Sequence, residues 1–540
     1  MEAVRSALGA AAGEGSGSLD ILNPALFSGL GCALAWWAVA SVNAARKRAR
    51  LAKTVPSVEG GLPVLGQALN LMKAAPYEVF SEWMNKYGHI YRFQLFGRRC
   101  VVVADPGLMK HVMRTQMSTF HKDINFTYHA FLDLLGTGIV SSDGAAWRRQ
   151  RHKVSSVFRL EVLSEIPAMA RRATARLATK LDKIKGTGQS IEMGEELRHL
   201  TMQVISEVLM SLSPEETDQT FAKMYLPIVV EGNHRIWNPL REYCPLMPAW
   251  WRQRRNVKAL NDYITGIIVA RWDATRKGES TGALAAGGEG VGNDTDRDKG
   301  DVLDRVLASV GPGEWGRATI RQIRDEMKTF VLAGHETSAT MLNWALFELT
   351  QNGALEEQVV AESRAVFGPG ASLSGPLPSV DGLRKLELSD ACLRETLRKY
   401  SVIPTLPRVN SVDCTISGDD GVDHFIPKGT TLMMHVKGVH DRMDIWPEPS
   451  SFNPRRFLDG EIKPYTFLPF IDGPRNCLGQ HLSLLESKVV LSLLVRRYRF
   501  TVENKDTAWE LHPWMVPIIS KHGTYLTVED RAETFVTKEA

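Results

Sequence analysis

Residues 470–479 read Phe-Ile-Asp-Gly-Pro-Arg-Asn-Cys-Leu-Gly and set one cysteine, Cys477, among glycines and beside an arginine. Apolar residues recur at helical steps from about Gln480 through Leu482, Leu485, Val489 and Leu493 to Arg497. Cys477 is therefore expected just ahead of a helix N-terminus, where free N–H groups and the helix dipole favour an anion. A thiol so placed is predicted to have a lowered pKa and to act as a thiolate ligand. A lone cysteine before an amphipathic helix is usually inert core, and only its flanking residues lift Cys477 out of that class. A second candidate is Ala333-Gly334-His335-Glu336-Thr337-Ser338, inside a helix predicted over residues 322–349 from Met327, Phe330, Gly334, Thr337, Met341 and Ala345. The Thr337 hydroxyl can bond a carbonyl one turn earlier and open the helix locally, leaving room for water. The bland alternative is a core helix with a packing glycine.

The first segment matches Phe-x-x-Gly-x-Arg-x-Cys-x-Gly at every fixed position, and in this the chain resembles the cytochrome P450 family. The resemblance implies that Cys477 is the axial thiolate on the iron of haem b. It also implies that Phe470 packs beside the sulfur, that Gly473 and Gly479 let the loop approach the porphyrin, and that Arg475 pairs with a propionate. Ala333 and Gly334 would let the helix cross the haem, and Glu336 and Thr337 would relay the protons that cleavage of dioxygen needs. His335 stands at a variable position and is read as non-catalytic. Trp147 and Arg151, one helical turn apart, and Arg408 after Pro407 resemble the family's other haem contacts. Glu395 and Arg398 resemble its buried Glu-x-x-Arg pair, completed by Arg456 from Phe452-Asn453-Pro454-Arg455-Arg456-Phe457, where Arg455 replaces an acid common in relatives.

These five motifs follow the family's order from roughly Pro56 to the end. The implied fold is mainly α with a smaller β region, a single domain of residues 56–540, with haem between the oxygen-activating helix and the cysteine loop. The implied reaction inserts one oxygen atom from dioxygen into a C–H bond, hydroxylating a lipophilic small molecule. Its electrons would come from NADPH through a separate NADPH-cytochrome P450 reductase, because no Gly-x-Gly-x-x-Gly fingerprint follows a strand. Arg148, Arg149 and Lys153 would face outward as a basic docking patch. Candidate pocket residues are Phe120, Phe126, Phe131, Tyr225, Trp237, Phe330, Ile403 to Leu406 and Trp514 to Val516. Two rivals are a hydroperoxide isomerase or dehydratase of the same fold, which tends to lose the acid or Thr kept here, and a non-enzymatic haem-binding membrane protein.

Around these motifs, the elements that must position them are strands at Ile90 to Leu95 and Cys100 to Val103 and long helices after them. Residues 277–300 are rich in Gly, Ser and Asp and read as a disordered insertion. Residues 21–45 carry no charge and are followed by Arg46, Lys47, Arg48 and Arg50. That pattern predicts a single transmembrane anchor, a lumenal 1–20 and a cytosolic catalytic domain, with a basic stop and Pro/Gly linker over 46–66. The endoplasmic reticulum membrane is the expected site, the plastid envelope the alternative. At 540 residues and 44% hydrophobic the chain can bury a large core, and 65 basic against 61 acidic residues give only +4, which argues against a nucleic-acid partner. Six scattered cysteines fit neither a zinc site nor a disulfide framework.

Overall fold

The computed structural model describes residues 24–155, 163–238, 240–277, 300–368, 372–373, 375–512 and 517–531. The insertion expected at 277–300 lies outside the described residues except at its two ends, as do pocket candidates Trp514 to Val516. The chain divides into two units, residues 1–54 and 55–540. The described residues of the first form a helix, α1 (Pro24–Thr54), which carries on through the basic cluster without a break. Its side chains are described only from Ala35 on, where Trp36 and Trp37 are exposed. Among the described residues, no helix is long and apolar enough to cross a membrane.

The second unit is mainly helical with a smaller sheet region, as the motifs implied. Strands β1 (Ile90–Leu95), β2 (Arg98–Val103), β3 (Phe120–His121), β4 (Thr405–Asn410) and β5 (Thr431–His435) form one sheet in the order β1-β2-β5-β4-β3. Both strands expected from alternation are present, the second beginning at Arg98 rather than Cys100. The β2–β5 pairing is parallel and the others are antiparallel. A three-stranded sheet joins Ser190–Glu192, Tyr525–Asp530 and Tyr498–Val502.

The helices that matter for the site are α2 (Gly144–Ser155), α3 (Met193–Met210), α4 (Ala222–Trp237), α5 (Arg317–Gln351), α6 (Glu387–Tyr400) and α7 (Gln480–Arg497). Helix α5, 35 residues long, is buried on every side from Ser338 to Leu349. A helix buried all round belongs at the centre of a domain. Trp344 holds it there: its ring stacks on Tyr400 of α6 at 4.1 Å, and its indole N–H donates to the Ile518 carbonyl at 2.8 Å. Helices α3, α6 and α7 pack against α5, so the motifs, distant in sequence, are brought round one helix. The five cysteines whose side chains are described, Cys100, Cys244, Cys392, Cys414 and Cys477, are free thiols.

Candidate functional site

Helix α7 begins at Gln480, and the loop before it is pinned at both ends. The Cys477 N–H donates to the Phe470 carbonyl at 2.9 Å, and Gly473 adopts φ +75° with a would-be Cβ only 2.7 Å from the Met113 carbonyl. Gly473 is thus required by the neighbouring turn at His111–Thr115 as well as by the loop's own bend, not by a cofactor alone. Gly479 leaves the sulfur side clear, the nearest atom to its would-be Cβ being Cys477 Sγ at 4.0 Å. Phe470 is half-buried against the main core.

Burial raises the Cys477 thiol pKa, while the N–H groups of Gly479 and Gln480 and the Arg151 charge pull it down. The expected lowering is therefore reversed in the protein alone: the helix N-terminus acts as anticipated, but desolvation outweighs it. A metal cation at the sulfur would supply the missing compensation. Although enclosed by the fold, Cys477 keeps an exposed side-chain surface, as does Ala333 in the middle of the buried helix α5.

Three cations gather beside this opening. Arg408, 5% exposed on β4, makes its hydrogen bond to the neighbouring Pro407 carbonyl rather than to a carboxylate. Arg475 donates to the Phe120 carbonyl at 2.7 Å and to Asp143 at 2.6 Å, its guanidinium lies over the Trp147 ring, and its buried Nε has no partner. Lys122 donates to the Ile139 carbonyl at 2.7 Å, and burial together with Arg408 and Arg475 lowers its pKa to about 7 despite Asp143 and Glu326. Asp143 and Glu326 face these cations, yet the Arg408 guanidinium rests on a carbonyl and Arg475 Nε has no partner, so the cluster keeps donors unfilled. Buried charge of one sign is costly unless a counter-charge arrives. A flat group with two carboxylates and a metal for the free thiol fits these residues, which is the chemistry of haem b.

Arg151 takes a different place from the one expected. Its two terminal nitrogens are held by the carbonyl and side chain of Asn476 at 2.7 and 2.6 Å, so its charge bears on Cys477 rather than reaching toward a propionate. Trp147 is 6% exposed and serves as the surface under Arg475. Gly334 also departs from expectation. A Cβ there would meet Ile205 Cγ1 of α3 at 2.6 Å, so this glycine permits close packing of α3 on α5, and Ala333 is the small residue at the opening. The Thr337 hydroxyl donates to the Ala333 carbonyl at 2.6 Å, yet α5 runs through this turn without a break.

The Ser338 and Ser483 hydroxyls are 2.9 Å apart and tie α5, one residue after Thr337, to α7, six residues after Cys477. This link brings the two motifs together. Beside it lies Glu486, 1% exposed, whose pKa burial pushes up to about 8 against a hydrogen bond from Ser338. Sequence reasoning missed Lys122 and Glu486. Nothing marked Lys122, but a glutamate inside the apolar run Leu482 to Leu491 was a readable signal.

Away from the opening, Arg398 grips Glu395 with two bonds of 2.8 Å, both side chains fully buried, and Arg456 Nε lies 3.4 Å from the same carboxylate. The spare guanidinium N–H groups reach the carbonyls of His440 and Pro449, and that of Arg456 reaches Glu448. His440, also unanticipated, accepts from the Leu468 N–H at 3.0 Å and so fixes the start of the cysteine loop.

Comparison with known proteins agrees with this geometry. The cytochrome P450 family model matches residues 56–526. Cytochrome P450 4c21 of Blattella germanica is 28% identical over 87% of this chain and 93% of its own length. A cytokinin hydroxylase of Arabidopsis thaliana is 30% identical over 68% of each chain, and the chloroplastic protein LUTEIN DEFICIENT 5 of the same plant is 26% identical over 79% of this chain and 69% of its own. With its motifs gathered round one buried helix and its family model spanning most of its length, this chain belongs to the cytochrome P450 family, monooxygenases that use haem with a cysteine thiolate as axial ligand.

Proposed function

We propose that Cys477 is the haem ligand and that the chain hydroxylates a lipophilic substrate with electrons from NADPH through a separate reductase. The observation that carries this reading is the pairing of a free, enclosed thiol with a cluster of Lys122, Arg408 and Arg475 in which Arg475 Nε is left without a partner and Arg408 bonds a carbonyl. Haem bound there would supply the activation of dioxygen. Arg408, Arg475 and Lys122 would hold its propionates, Arg151 would steady the loop through Asn476, and Phe470 would shield the sulfur from water. The Glu336 carboxyl would hand protons to the Thr337 hydroxyl, which points back along α5 at the Ala333 carbonyl beside the opening.

Support for a lipophilic substrate is the apolar character of the residues near the opening. Phe330 lies three residues before Ala333 on α5, and Leu406 shares a face of β4 with Arg408 by strand alternation. Ile403 is half-buried in the core, and Tyr225 is committed to packing, its hydroxyl donating to the Lys328 carbonyl at 2.9 Å. Arg148 and Arg149 are exposed on α2 and suit an acidic electron donor, whereas Lys153 pairs with Glu314 at 3.3 Å. The uncharged run at 21–45 and the basic residues after it support a single anchor in the endoplasmic reticulum membrane with residues 56–540 in the cytosol. The plastid envelope remains the alternative location.

The test is spectral and then chemical. Reduced protein under carbon monoxide should give the red-shifted Soret band of thiolate ligation, and Cys477→Ser should abolish it. With reductase, NADPH, dioxygen and a lipid panel, substrate-dependent NADPH consumption is expected. Turnover of a lipid hydroperoxide without NADPH would instead identify an isomerase.

A further inference from the structure

His335, set aside in the sequence reading, is fully buried on α5 next to Glu336. Its Nδ1 lies 2.8 Å from the Val331 carbonyl. A carbonyl can only accept, so Nδ1 carries a proton and the tautomer is fixed. The other ring nitrogen, Nε2, lies 3.3 Å from Glu336 Oε1 in an ion-pair approach and makes no hydrogen bond. Two bare lone pairs facing each other at that distance, away from water, would repel. One additional proton between imidazole and carboxylate removes the conflict, as imidazolium with carboxylate or imidazole with carboxylic acid.

We infer that His335 and Glu336 act as a unit sharing one mobile proton, with His335 the positioning residue that orients and recharges the Glu336 carboxyl. This deepens the proposed role of Glu336 and rests on that reading. When Glu336 gives its proton toward Thr337, the unit is left as neutral imidazole with carboxylate, Nδ1–H still on Val331. One proton from solvent restores it. The ring is held by its Nδ1 bond to Val331 and by Tyr225 of α4, which meets it edge-on at 5.7 Å, while the His335 backbone carbonyl accepts from the Thr201 hydroxyl of α3 at 2.9 Å. The charged and titratable groups facing the pair are Tyr225 and Arg198. Tyr225 is held neutral by burial, its hydroxyl on Lys328 O, and Arg198 of α3 is itself engaged by Glu195 at 3.6 Å. Against the cost of burial, His335 and Arg198 hold Glu336 below its ordinary range.

Holoenzyme labelled with 15N-histidine, reduced and carbonylated so that the iron is diamagnetic, reports the ring directly, with His335→Gln identifying its signals. We expect Nδ1 to stay protonated from pH 6 to 9 and Nε2 to titrate about one to two pH units lower in Glu336→Gln than in the wild type, since the carboxylate stabilises imidazolium. An unchanged Nε2 titration, or a bare Nδ1, would overturn the pairing whether or not the enzyme turns over. In the coupled assay, His335→Gln should divert several-fold more NADPH into peroxide, increasingly so as pH rises. Wild-type coupling across pH 6 to 9 in that variant would reject the mobile proton. If no NADPH-dependent turnover exists, the monooxygenase reading of Glu336 fails, and the pair stands or falls on the 15N titration alone.

Discussion

Two groups of buried cations sit in this fold, and they are finished differently. Around Glu395 the charges are closed: Arg398 and Arg456 converge on one carboxylate, and their remaining N–H groups are taken up by the carbonyls of His440, Pro449 and Glu448. Around Arg475 they are left open: Arg475 bonds Asp143 but its Nε has no partner, Arg408 bonds only a carbonyl, and Lys122 lies among them with its pKa lowered. Burial without compensation costs stability, so the first cluster is structure in its own right and the second is structure prepared for an anion. The difference separates Arg398, closed on a carboxylate, from Arg408, proposed to hold a ligand, even though both are arginines 0 to 5% exposed.

Breaking the closed cluster should have the largest effect. Glu395→Ala strands two cations and is expected to cost about 3–5 kcal/mol. It should yield protein that retains no haem, measured as the haem-to-protein ratio after purification. Normal incorporation would show that the triad is not a closed structural unit. Next in size, Arg408→Gln should leave the thermal midpoint of the apoprotein unchanged or higher while speeding haem loss to a scavenger at least about tenfold, the equivalent of one charge-assisted contact of about 1.4 kcal/mol. A destabilised apoprotein would put Arg408 with the closed cluster instead.

A pH dependence sharpens the contrast. The Lys122 pKa is depressed to about 7 in the fold, so between pH 7 and its ordinary value the unfolded chain binds more protons at this group, and its contribution to apoprotein stability should rise with pH across that window. Glu326, raised to about 7, works the other way and only below that value, its contribution being lost as pH climbs from the ordinary carboxyl range to 7. Glu486, raised to about 8, opposes Lys122 up to that pH, so melting curves of apoprotein should rise from pH 8 to 9, and Lys122→Met should flatten them. Holoprotein should show little of this slope, because propionates would keep Lys122 charged. The smallest change is expected at Arg455, exposed beside the triad: Arg455→Asp should alter stability by no more than about 0.5 kcal/mol and leave haem content intact.

The motif residues were readable because they are local. Cys477 before a helix beginning at Gln480, Thr337 able to bond back to Ala333, and Glu395 one turn from Arg398 all follow from spacing along one element, and the geometry has each of them. Roles set by a partner from elsewhere in the chain were not readable. Arg151 and Asn476 are 325 residues apart, and Gly334 is short of a side chain because of Ile205 on another helix. Lys122 belongs to no pattern at all; only folding sets it against Arg408 and Arg475.

The family, the haem-thiolate chemistry and the mainly helical architecture are thus written in short strings whose periodicity and residue types act over one or two turns. The balance of charge at the opening, the upward pull on the Cys477 thiol and the pairing of His335 with Glu336 are decided by the packed molecule. The physical reason is that desolvation and Coulomb interaction depend on what surrounds a group in space, and neighbours tens or hundreds of residues away supply most of that environment.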